Sequence, residues 1–127
     1  MKRMNVENVS IRMIQLQNNL KNTSGKLKIQ VDPSLRMDKE NNKRCLGSLE
    51  CKIATIDDDE QENKDFELNI VVDGLYFSDE EIQITNSVKR FIIISLFPYV
   101  QNFVATITTF SNMQSIILPY PPLDNVE

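Results

Sequence analysis

The 127-residue chain contains no histidine, only three glycines and only two cysteines, and each scarcity closes off a class of function. Without histidine, the usual general base and the commonest metal ligand are both missing. Three glycines leave no phosphate-cradling loop, and no nucleophile elbow occurs. Nothing singles out a pair of carboxylates for acid–base work, so the expectation is that the chain is not an enzyme and carries no cofactor or metal. Cys45 and Cys51 lie six apart on what reads as one strand, so their side chains point the same way roughly 20 Å apart, too far for a disulfide. They read as reduced core residues of a cytoplasmic protein. Residues 1–8 hold no apolar signal-peptide region, and the longest strongly apolar run, 91–97, is interrupted by Ser95 and is too short to span a bilayer. No membrane insertion is therefore expected. The net charge of −4 and the scattered basic residues (Lys2, Arg3, Lys26, Lys28, Lys43, Arg44, Lys89, Arg90) argue against a nucleic-acid partner, whose phosphates reward clustered cations.

What is present reads as strands first and a helix last, in a single domain over 1–127. Val9, Ile11 and Met13 alternate with polar neighbours, then Ile14 and Leu16 take the opposite phase, which predicts a bulge or a crossing over to other neighbours. Residues 18–25 are turn-rich. Leu27, Ile29 and Val31 form a short strand ending at Asp32 and Pro33, with loop expected over 34–43. Cys45, Gly47, Leu49, Cys51, Ile53 and Thr55 alternate with polar residues, as do Phe66, Leu68, Ile70, Val72 and Tyr76 further on. Gly74 inside that last strand predicts a bulge or a close neighbour. Between the two strands, Asp57, Asp58, Asp59 and Glu60 head an acidic hairpin loop too charged to bury. It lacks the glycine and glutamate spacing of an EF-hand.

Antiparallel strands with one wet face need a cover for the dry one. Ser78 and the acidic residues 79–81 predict a helix start, opening a helical region over 79–111. Within it, the β-branched residues 92–94 are compatible with extended structure as well. Phe97 and Tyr99 flank Pro98, which favours a helix start or kink. From there Leu96, Val100, Phe103, Ile107 and Phe110 recur at helix-face spacing. Residues 112–127 are an apolar, proline-studded tail containing Ile116, Ile117, Leu118 and Tyr120, which cannot form a helix or a central strand and so must lie on another surface.

The Leu96-Phe97-Pro98-Tyr99 box, the helix after it and the proline-rich stretch resemble the SecB-type protein-export chaperones. In that family such a box begins the long helix that packs on a four-stranded sheet. Gly74-Leu75-Tyr76-Phe77 is similar to the family's turn ahead of the helical part. The resemblance runs over about residues 9–124, with strands over 9–77. It implies an α+β fold in which a four-stranded antiparallel sheet is covered on one face by a long C-terminal helix. Two features depart from the pattern. Residues 87–94 replace the family's cysteine- and glycine-containing segment, and its second helix has no counterpart before Glu127.

The function implied is an ATP-independent holdase that keeps unfolded preproteins competent for export. Tyr76, Phe77, Phe97, Tyr99, Ile116, Ile117, Leu118 and Tyr120 are then the candidate client-binding residues. Asp57, Asp58, Asp59 and Glu60 become a docking surface for the basic tail of the SecA motor. A homotetramer built as a dimer of dimers, or a homodimer, is implied as well. Physical chemistry supports several linked sites. Burying three client side chains gains about 1.5–3 kcal/mol each, while ordering some six residues of backbone costs about 1–2 kcal/mol each. One site is therefore weak, and avidity must supply the rest. The alternative is a dedicated single-partner module on the same fold, such as a chaperone specific to an antitoxin.

Overall fold

The computed structural model describes residues 4–18, 26–56, 61–110 and 117–119. Four strands, β1 (Met4–Asn18), β2 (Lys26–Met37), β3 (Arg44–Ile56) and β4 (Glu62–Ser78), precede one helix, α1 (Asn86–Phe110). The strands form an antiparallel sheet in the order β1-β4-β3-β2. β1 and β2, adjacent in sequence, thus lie at opposite edges. α1 packs on one face, over β2, β3 and β4.

The phase switch in β1 is a pair of register shifts, between Glu7 and Ser10 and between Ile11 and Met13. At the first, Asn8 takes a left-handed backbone (φ 52°), a conformation asparagine adopts more readily than most residues. The second places Ile11 opposite Val72 and Ile14 opposite Ile70, so both side chains reach the helix side although they lie three positions apart. β2 continues through Pro33 to Met37, past the predicted end at residue 33 and into the expected loop. As an edge strand bonded, among the described strands, to β3 alone, it tolerates a residue that cannot donate.

α1 starts later than the sequence suggests. Ser78 closes β4, and its hydroxyl accepts from the Glu80 N–H in a turn. The helix cap is Thr85, whose Oγ1 accepts from the Val88 N–H at 3.3 Å. The Leu-Phe-Pro-Tyr box therefore lies inside the helix and does not open it. The β-branched residues 92–94 are helical because packing outweighs their propensity. Val88, Ile92, Leu96, Val100 and Val104 form a buried stripe with Ile93 and Phe97 beside it, while Phe103 and Ile107 pack only at its margin. Over Asn86–Thr108 the helix is long and apolar enough to cross a bilayer, but this stripe is core against the sheet. Pro98 leaves the Ile94 carbonyl without its helical donor, on a face where Ile94 meets water.

Tyr76 organises the core. Its ring meets Phe91 edge-on (centroids 5.9 Å apart, 72° between planes), and its hydroxyl lies 2.6 Å from Ser95 Oγ. Gly47 and Gly74 pair across β3 and β4, and both make room for close neighbours. A Cβ on Gly47 would collide with the Tyr76 ring, and one on Gly74 would sit 2.7 Å from Val6 Cγ2 and 3.2 Å from Leu96 Cδ2. Close approach, not a bulge, explains Gly74. Burial pushes the Tyr76 hydroxyl up to about 12, against a smaller opposing pull from Ser95. Cys45 and Cys51 are free, buried thiols of β3, pushed up by burial to about 11 and about 12.

Candidate functional site

The structure separates the residues that the sequence suggests for client contact. Tyr76 and Phe97 are fully buried on the sheet–helix interface and present nothing to a partner. Their aromatic surface is what one subunit needs to close its own core, so both are corrected from contact residues to core residues. Leu118 is also buried, 1% exposed. Phe77 lies on the opposite face of the sheet, half-buried, with the Arg44 guanidinium 4.8 Å above its ring. Tyr99 stands on the outer face of α1 with Ile94, and Ile117 projects into solvent at 84% exposure. Ile116 and Tyr120, and the acidic residues Asp57, Asp58, Asp59 and Glu60, lie outside the described residues.

What the structure brings together is a set of apolar residues that the sequence reading placed on strands but not in a site. Across the helix side of the sheet, Leu16, Leu68, Ile53 and Ile29 form one row, and Ile14, Ile70, Cys51 and Val31 the next. The central members are sealed, but Ile14 and Leu16 on β1 remain 42% and 37% exposed. Ile11 on β1 and Leu27 and Ile29 on β2 are exposed to a similar degree. The cause is width. A helix with its side chains is about 10–12 Å across, whereas four strands at about 4.8 Å spacing are wider. One helix over β2, β3 and β4 leaves apolar shoulders, the larger on β1.

The two edges differ in their chemistry. β2 carries Pro33 and exposed Lys26 and Lys28, devices that discourage another strand from adding. β1 has no such protection over residues 13–18, Met-Ile-Gln-Leu-Gln-Asn. This stretch is uncharged and keeps an uninterrupted register with β4. Over residues 13–17 its outer side offers a row of backbone donors and acceptors beside Ile14 and Leu16. An extended peptide could add a strand here and lay alternate side chains on the shoulder.

The opposite face mixes apolar residues, Val71, Leu75 and Phe77, with polar ones. Arg12, the extra residue of the second bulge, donates from Nε to Asp73 Oδ2 at 2.9 Å, and Ser48 Oγ donates to Asp73 Oδ1 at 2.6 Å. A buried carboxylate held at both oxygens is a structural tie, not a free base. An open cavity of about 530 Å³ has Gln15, Gln17, Lys52, Glu67 and Asn69 in its lining.

No family model matches the chain, and no curated protein matches its sequence. Among solved structures, it resembles the Mycobacterium tuberculosis Rv1957 SecB-like chaperone, seen in complex with a ChAD peptide from the Rv1956 HigA1 antitoxin. The TM-score is 0.70 at 12% identity, over 94% of this chain and 91% of that one. A protein of unknown function from Streptococcus agalactiae matches with a TM-score of 0.56 at 12% identity, over 93% of this chain and 98% of the other. At such identity the likeness establishes architecture, and the architecture, a four-stranded antiparallel sheet plus one C-terminal helix, is SecB-like.

Proposed function

We propose that this chain binds extended, non-native polypeptide segments without ATP, as a holdase of the SecB-like kind, and that the β1 shoulder is its primary contact. The observation that carries this reading is the uncharged, bulge-free edge over residues 13–18 beside half-exposed Ile14 and Leu16. Backbone pairing is indifferent to client sequence, and an apolar shoulder accepts many side chains, which is what a general binder needs. The fold neighbour in complex with an antitoxin peptide supports a polypeptide client. Tyr99 and Ile94 on the outer face of α1 supply a surface for self-association into a dimer or tetramer. Linked sites on such an assembly make up for the weakness of each. In the export form of the reading, Asp57, Asp58, Asp59 and Glu60 meet the basic tail of a motor such as SecA.

The decisive measurement is light scattering of a chemically unfolded protein diluted into buffer with and without the chain. Suppression of aggregation near one equivalent is expected, and its complete absence would end the general-holdase reading. A second reading, a module dedicated to one partner, draws support from the burial of Tyr76, Phe97 and Leu118. Less greasy surface is left over than the sequence promises, and a single cognate segment needs less of it. Co-purification separates the two: a mixed set of unfolded clients marks the holdase, whereas one stoichiometric companion marks the dedicated module.

A further inference from the structure

Leu118 is unlike the residues around it. Ile117 and Pro119 stand in solvent, yet Leu118 is 1% exposed and belongs to the buried cluster that includes Val100 and Val104. Residues 117–119 are neither helix nor strand. Gln101, on α1, fastens them: its Nε2 donates to the Leu118 carbonyl at 2.8 Å. A leucine of β3 or β4 is locked by backbone ladders on both sides, whereas this one is kept by its own burial and a side-chain amide. Pro119 biases Leu118 towards extended backbone and contributes no donor of its own. An extended segment, one apolar side chain inserted and a carbonyl read by a side-chain donor are the contacts of a docked peptide.

We propose that residues 117–119 act as an internal stand-in for a client, with Leu118 plugging a leucine-sized socket beside Gln101 that a client segment enters by displacing it. The proposal rests on the polypeptide-binding reading and adds its regulation. Withdrawing a leucine from water shifts an equilibrium by about ten- to a hundredfold. A plug of that strength lowers the apparent affinity of any competitor by a similar factor. Polar or short segments are then excluded, and segments with a large apolar side chain are admitted. The plug also keeps the socket dry when no client is present, so the free protein does not expose it to its own copies.

The experiment uses full-length chain and a fluorescent nine-residue peptide with the chain's own sequence over residues 114–122, followed by anisotropy. Leu118→Ala should bind the peptide at least about tenfold more tightly than the unaltered chain does, and a peptide with alanine at the Leu118 position should show no such gain. Gln101→Ala, which frees the carbonyl but keeps the leucine, should give a smaller gain in the same direction. Equal peptide affinity for the unaltered chain and for a cooperatively melting Leu118→Ala overturns the plug. If Leu118→Ala does not melt cooperatively, Gln101→Ala decides, and no gain there overturns it equally. Aggregation suppression is read in parallel. Tight peptide binding to Leu118→Ala without any suppression removes the holdase reading and leaves the plug. Equal suppression by both chains with unchanged peptide affinity removes the plug and leaves the holdase.

Discussion

Replacing Ile14 and Leu16 together by threonine tests whether the β1 shoulder is a binding surface. Full burial of an isoleucine or leucine is worth about 1.5–3 kcal/mol. With 42% and 37% of these residues still exposed, a docked segment recovers roughly 0.6–1.2 kcal/mol from each. The pair then carries about 1.2–2.4 kcal/mol, or about seven- to fiftyfold in affinity. Threonine keeps the β-branch and one methyl, so a loss of about five- to twentyfold is expected. The buried remainder of each side chain costs about 1 kcal/mol in stability, which lowers the melting temperature without abolishing the transition. The assay is anisotropy of a labelled, unstructured apolar peptide, with circular dichroism to confirm the fold. Leu27→Thr with Ile29→Thr is the matched control. It removes similar exposed area beside the edge guarded by Pro33, Lys26 and Lys28. If strand addition at β1 matters, the control costs no more than about threefold. Equal losses from the two pairs would refute edge pairing, and a loss under twofold from the β1 pair would refute the site altogether.

Three further outcomes follow from the core. Pro98→Ala restores the N–H that the Ile94 carbonyl lacks and should raise stability by about 1–3 kcal/mol in urea titration; a lower midpoint would mean that the proline itself helps to fit α1 to the sheet. Ser95→Ala should cost more than Tyr76→Phe. In the first the buried Tyr76 hydroxyl loses its partner, about 1–3 kcal/mol, while in the second Ser95 keeps the Phe91 carbonyl at 2.7 Å, about 1 kcal/mol; the reverse order in thermal melts contradicts this geometry. At alkaline pH the chain should lose stability. The buried thiols rise from 9.0 to about 11 and about 12, and Tyr76 rises from 10.0 to about 12. Above pH 9 the unfolded chain holds fewer protons than the native one, so stability is full below that value and falls as pH climbs through the native values. A urea midpoint unchanged between about pH 8 and pH 11 would show that these groups are not protected from ionisation.

The strands were legible because a half-buried sheet writes its alternation into the sequence. Cys45 to Thr55 and Phe66 to Tyr76 alternate cleanly and became the two central strands. The phase switch at Met13 and Ile14 announced a bulge or a crossing over, and a register shift lies just before it, between Ile11 and Met13. Two boundaries were misjudged for one reason each. Pro33 reads as a strand end unless the strand is known to lie at an edge. Ser78 with its acidic followers reads as a helix cap unless the strand is known to use that serine to finish. The site was harder. Alternation tells which side chains share a face but not which strand stands at the rim, so Ile14 and Leu16 looked no different from Leu68 and Ile70. Strand order, β1-β4-β3-β2, is a non-local property, and it alone decides which apolar residues are left in water. The aromatic residues misled in the opposite sense: Tyr76 and Phe97 drew notice by size, and size is what the core uses first.

The mismatch between one helix and four strands ties the fold to the proposed function. A sheet this wide, buried on one side by a single helix, is left with apolar flanks that no residue of the described core covers. A monomer content to stay alone would have traded Ile11, Ile14, Leu16, Leu27 and Ile29 for polar residues at little cost, since each is more than one-third exposed. Instead, the apolar rows run unbroken from one edge to the other. The edge chemistry then assigns the flanks unequal roles. The β2 side, with its proline and lysines, resists strand addition, and the β1 side invites it. The socket beside Gln101 introduces the same polarity on the helix layer, with a leucine of the chain's own holding the place a foreign one would take. A segment long enough to reach both would pair its backbone at β1 and insert one side chain in place of Leu118. Peptides with an apolar residue only near the β1 end should therefore bind Leu118→Ala and the unaltered chain alike, whereas peptides reaching the socket should discriminate between them by about tenfold. A discrimination that does not depend on where the apolar residue lies along the peptide would show that the two surfaces do not serve one client segment.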